Sequence, residues 1–147
     1  MSELEATANR LLGPRLTELD PGIDFDRAQS EDLARWVVLK SMVLARASQG
    51  NVTLPFQIYD DFRRGKMPAD VFVEVFLTPT STLNSFIGPI ALRKAIDIPR
   101  EEVDEFGNRC WIVGLQVGRI VFRTSFVPQH PKIRRSAVKF RAKVLYP

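Results

Sequence analysis

Near residue 70 the hydrophobic pattern of this 147-residue chain changes period, and that change constrains the fold more than any other feature. Upstream, apolar side chains recur at helical spacing. Downstream they alternate. Val71, Val73, Val75 and Leu77 alternate with Phe72, Glu74 and Phe76 between Pro68 and Pro79, which predicts a strand. Helices first and strands afterwards predict an α+β fold: about three N-terminal helices packed on a C-terminal antiparallel sheet of about four strands. The expected organisation is a single domain, residues 1–147, helical over 1–65 and β-rich over 70–147. Hydrophobic residues make up 45% of the chain, enough for a packed core and too much for a disordered one.

In the helical half, Leu4, Ala8, Leu11 and Leu12 share one face of a helix over 2–12, which Gly13-Pro14 should stop. Ser30 is a suitable N-cap for a second helix over 31–47. Its apolar positions (Leu33, Trp36, Val37, Leu44 and Ala47, widened by Val38, Leu39, Met42 and Val43) leave little polar surface, so this helix should be mostly buried. Thr53 can cap a third helix that runs to Arg64, turns Phe56, Ile58, Tyr59 and Phe62 inward and stops at Gly65.

In the β half, Thr78–Ser85 reads as a Ser/Thr loop. Over 86–98, Ile90 and Leu92 suit a strand near 89–96, the favoured reading, whereas Ala91, Leu92 and Ala95 would suit a helix. An acidic helical turn at Glu101–Glu105 follows. Residues 110–126 carry the longest β signal. That length exceeds the usual ~3–10 residues, which predicts a bend or bulge at Gly114 or Gly118. A final strand over 137–145 alternates apolar and basic residues. Val138, Phe140, Ala142 and Val144 should face the core, and Lys139, Arg141 and Lys143 the other side.

Charge is distributed unevenly. Residues 1–108 sum to −5, whereas residues 109–147 carry nine cations and no acid. An acid-free basic segment is an electrostatic footprint for a polyanion. The candidate contact residues are Arg119, Arg123, Lys132, Arg134, Arg135, Lys139, Arg141 and Lys143, with Arg109 opening the segment. The same row also suits an edge strand guarded by cations, or an acidic protein partner.

Catalytic chemistry finds little support. The single Cys110 and single His130 cannot build a four-ligand zinc site or an internal disulfide. Cys110 opens an apolar strand and reads as core; His130 lies in the loop Pro128-Gln129-His130-Pro131. Gly114–Gly118 lacks both the phosphate-loop and the dinucleotide fingerprints. Asp60, Asp61, Asp70, Glu74 and the Glu101–Glu105 cluster are candidate carboxylates for a divalent metal. Glu74 stands between two phenylalanines and needs a partner or solvent. Trp111 reads as core or as a stacking surface. No apolar run approaches the ~20 residues of a membrane span, and the first residues do not form a signal peptide. The expectation is a reduced, cytoplasmic chain with no cofactor, no metal and no membrane partner.

Several short motifs in order carry a family resemblance: Met1-Ser2-Glu3-Leu4-Glu5, Ala34-Arg35-Trp36, Lys40-Ser41, Gly118-Arg119-Ile120-Val121-Phe122 and Tyr146-Pro147. In this order and spacing the chain resembles the C-terminal part of bacterial HNH-endonuclease-like proteins. There a Cys/His nuclease segment is followed by a helix with Ala-Arg-Trp, a β-rich region with Gly-Arg-Leu-Val-Phe and a terminal Trp-Pro. Here Lys40 follows Trp36 by four residues rather than three, and the Cys/His segment is absent. The resemblance therefore implies a non-catalytic accessory region, and no catalytic or metal-binding residue is carried over. The expected partner is DNA or RNA. The alternative is a small phage or mobile-element protein that binds and inhibits a protein partner, either acidic or nucleic-acid-binding, such as a nucleic-acid-handling defence complex.

Overall fold

A computed structural model describes residues 2–48, 54–89, 99–128 and 143–146. Four helices and three strands follow in the order α1 (Glu3–Leu16), α2 (Arg27–Ala47), α3 (Phe56–Arg63), β1 (Val71–Pro89), α4 (Arg100–Gly107), β2 (Trp111–Phe126) and β3 (Lys143–Tyr146). The strands form an antiparallel sheet in the order β2-β1-β3. The α+β class thus holds. The described sheet has three strands rather than four, because β1 absorbs the expected loop at 78–85 and most of the expected strand at 89–96 lies outside the described residues.

Helix α1 starts at a reciprocal cap. Ser2 Oγ accepts from the Glu5 amide at 3.3 Å, and the Glu5 carboxylate accepts from the Ser2 amide at 3.2 Å. It does not stop at Gly13-Pro14 but runs through to Leu16. Proline near the end of a helix loses one amide donor, and here the neighbouring groups hold the last turn. Thr17 donates to the Pro14 carbonyl, and the Arg15 guanidinium reaches the carbonyls of Leu11 and Gly22. Lys40 of α2 donates to Glu5 at 2.6 Å and ties the two helices together. This bond from Lys40, with the one from the Ser2 amide, lowers the Glu5 carboxyl from 4.5 to about 2. A carboxyl depressed in the folded state stabilises it above its ordinary range and ceases to do so as pH falls. Urea midpoints should therefore decline between pH 4.5 and about 2, and Glu5→Gln should flatten that part of the profile.

Helix α2 begins four residues earlier than Ser30 suggests. Asp26 takes the cap: its carboxylate accepts from the Gln29 amide at 2.9 Å, and the Gln29 side chain accepts from the Asp26 amide at 3.1 Å. Ser30 is instead buried inside the helix. Leu33, Ala34, Val37, Val38, Met42 and Ala45 form the buried stripe, with Trp36 and Leu44 at its margin. Val43 and Ala47 face solvent, so the stripe is narrower than the sequence implies.

Helix α3 follows Pro55. Ile58 is buried, Tyr59 and Phe62 are half-buried, and Phe56 is 79% exposed rather than inward. Thr53, its expected cap, lies outside the described residues. Gly65 ends the helix as expected. At φ +78° it occupies the left-handed region, its amide donates to the Phe62 carbonyl, and the Lys66 amide donates to Asp61.

In the sheet, Val71, Val73 and Val75 pair with Phe126, Thr124 and Phe122. All six are buried on the face that α2 covers. The Ser41 hydroxyl of α2 bonds Thr124 Oγ1 at 2.9 Å, so this buried polar pair is satisfied. The opposite face carries Phe72, Glu74 and Phe76 against Ser125, Arg123 and Val121.

The stretch read as a loop at 78–85 is strand. The ladder shifts register between Leu77 and Thr82, opposite Gly118, whose φ is +63°. The irregularity expected in β2 therefore falls at Gly118. The surplus residues bulge from β1, where Pro79 has no amide to offer. Arg119 and Gln116 of β2 donate to the Thr78 and Thr80 carbonyls at 3.0 and 2.7 Å and hold the bulge. Ser/Thr composition suggested a loop because the pairing that makes it a strand comes from a distant segment.

The phase expected for the last strand is also reversed at its described end. β3 shifts register between Val73 and Glu74 of β1, which leaves Leu145 as the extra residue. Leu145 is buried, Val144 is 45% exposed, and Lys143 pairs with core-facing Val75. Val138, Phe140 and Ala142 lie outside the described residues.

Candidate nucleic-acid interface

Three of the cations that the sequence nominates lie in described residues, and each is engaged by its own chain. Arg123 faces Glu74 directly across β1 and β2. Its Nε donates to Glu74 Oε2 at 2.7 Å, and its Nη2 contacts the same oxygen. The two side chains are 15% and 4% exposed, and the guanidinium lies over the Phe76 ring at 5.9 Å. Glu74 thus finds the partner it needs in a structural ion pair.

Arg119 is half-buried and donates to Thr78 in the bulge. Lys143 Nζ donates to the Phe25 carbonyl at 2.6 Å, sits over the Phe25 ring at 5.8 Å and lies 4.0 Å from Asp24. Because Arg123 pairs with Glu74 and Lys143 with the adjacent Val75, the two project from opposite faces of the sheet. The structure therefore does not gather Arg123 and Lys143 into one surface. Lys132, Arg134, Arg135, Lys139 and Arg141 lie outside the described residues, as does His130. Arg109 is exposed, with its guanidinium 5.8 Å from the Phe106 ring.

Cys110 is buried and its Sγ lies 3.3 Å from the Phe106 carbonyl. Burial pushes its thiol up, against a smaller opposing pull from Arg109. Trp111 is half-buried and packs against the core. Among the described residues no three His, Cys, Asp or Glu side chains converge as a metal site. Among the same residues no helix is long and apolar enough to cross a membrane.

A second group of cations sits on the helical half, concealed in the sequence by that half's negative sum. Arg63, Arg64 and Lys66 are exposed around the turn that ends α3. Arg35 of α2 reaches the same turn: its Nη2 would lie 3.9 Å from a Cβ placed on Gly65. The local signal was Arg63-Arg64-Gly65-Lys66; nothing in the sequence indicated that Arg35 joins it.

Comparison of the chain with protein-family models, with curated proteins and with solved structures returned no match. The fold by itself assigns the chain to the α+β class.

Proposed function

We propose that the chain is a non-catalytic nucleic-acid-binding or accessory domain related to HNH-type nucleases, acting in the cytoplasm without a cofactor. The observation that carries this reading is the absence of any acid among residues 109–147, which hold nine cations. Among the described residues, acids outside that segment meet two of the nine: Glu74 pairs with Arg123, and Asp24 lies 4.0 Å from Lys143. Lys132, Arg134, Arg135, Lys139 and Arg141 supply salt-sensitive, largely sequence-independent contacts to the phosphate backbone.

Lys143 is a poor choice for testing this by charge reversal, because it holds the Phe25 carbonyl. The informative variant is Lys139→Glu with Arg141→Glu in the full chain. Fluorescence anisotropy with labelled duplex DNA should show binding lost, with the circular dichroism spectrum and urea midpoint of the parent retained. Unchanged affinity in a folded variant would contradict the assignment.

A second reading, binding of a protein partner, draws on the distal half of β1. Residues 75–92 carry no charged side chain, and Leu83 and Phe86 are 79% and 53% exposed on this strand. Among the described residues, β3 covers β1 only at Val73–Val75. An uncharged, uncovered strand edge is a template for an added strand. This reading predicts no affinity for free DNA or RNA, and a protein complex that survives high salt and is lost on Leu83→Lys.

A further inference from the structure

We propose that the turn ending α3 is a second phosphate-contact patch, formed by Arg35, Arg63 and Lys66, for the backbone of the same nucleic acid. Four cations of two helices meet there: Arg35 from α2, and Arg63, Arg64 and Lys66 from the end of α3 and the residues beyond it. Asp60 and Asp61 of α3 stand just before this turn, and of the two only Asp60 is paired with a cation. Asp60 takes Arg64 at 2.9 Å, and Asp61 accepts from Gln57 at 2.7 Å. Among the described residues, Arg35, Arg63 and Lys66 have no ion-pair partner.

The attraction of cations to a helix C-terminus explains Arg63 alone. It does not explain Lys66, which lies past the helix, or Arg35, which comes from another one. Holding three unpaired like charges together is unfavourable in the free protein, and a polyanion relieves that repulsion. The patch is also rigidly placed. Gly65 and Lys66 donate to the last carbonyls of α3, while Phe62 and Met67 on either side pack against the core. Planar guanidinium groups carried on such a turn suit phosphate oxygens, which accept paired hydrogen bonds.

The inference rests on the nucleic-acid reading above, and its test separates the two. Arg63→Gln with Lys66→Gln in the full chain removes charge at exposed positions. Its urea midpoint should equal the parent's. In a salt series with a labelled DNA duplex, the slope of log K against log salt should become shallower by about 1.8, from ~0.9 per phosphate contact. At 0.15 M salt that corresponds to roughly a thirtyfold loss of affinity. A folded variant with the parent's slope would overturn this patch. If that variant binds as the parent does while the Lys139→Glu, Arg141→Glu variant does not, the patch fails and the general reading stands. If the parent binds no duplex at all, both fail. Inorganic triphosphate bound through Arg63 and Lys66, with no change in the duplex slope, would assign the turn to free phosphates and overturn the nucleic-acid assignment.

Discussion

Arg123→Ala should destabilise the protein by about 3–5 kcal/mol, the usual cost of stripping one partner from a buried ion pair. Glu74 is 3% exposed in the sheet. Both Arg123 nitrogens that reach it converge on one carboxylate oxygen. Among the described residues only Arg123 pairs with Glu74, and without it the carboxylate stays buried between Phe72 and Phe76. That loss is a large share of the ~5–15 kcal/mol that holds a typical domain. Replacing the pair together, Glu74→Leu with Arg123→Met, should recover most of it, because an apolar pair of similar volume carries no desolvation cost. Urea unfolding of the three proteins checks this, and a single variant that loses less than about 1 kcal/mol would contradict a buried, dependent pair. The result also matters for binding assays, since weakened nucleic-acid affinity in Arg123→Ala would report unfolding rather than a lost phosphate contact.

Phe122→Ala should cost about 3–5 kcal/mol, for a different reason. Phe122 is fully buried on the helix-covered face, opposite Val75, and meets Trp36 of α2 edge-on, with ring centroids 6.0 Å apart and planes at 75°. Removing the ring opens a cavity where α2 rests on β2 and removes the aromatic contact that orients Trp36. Phe122→Leu keeps much of the volume and should cost less than about 1.5 kcal/mol. Denaturation monitored by tryptophan fluorescence reads both effects. Equal losses for the two substitutions would show that the packing of the ring is not what matters there.

What was legible in the sequence was whatever local chemistry decides. The switch of period at residue 70, the Gly65 stop and the irregularity opposite Gly118 all follow from single residues or short patterns. The start of α2 was misplaced because Asp26 and Ser30 are both good caps, and the choice fell to Gln29, which completes the reciprocal bond with Asp26. β1 beyond Leu77 was hidden because its Ser, Thr and Pro content is loop-like and its ladder is supplied by β2. The fate of the cations was least legible. Arg123 is neutralised by a residue 49 positions away, and one extra residue in β3 reverses the side on which Lys143 emerges. The meeting of Arg35 with the α3 turn depends on how two helices pack, which no local pattern records.

The central claim is that the chain holds nucleic acid through phosphate contacts. It is tested most directly by anisotropy of labelled single- and double-stranded DNA and RNA across a salt series. About four duplex phosphate contacts predict a slope of log K against log salt near −3.6, from ~0.9 per phosphate, with the α3 patch steepening it further. Affinity no tighter than ~10⁻⁴ M at low salt, the weak end of non-specific binding, would contradict it.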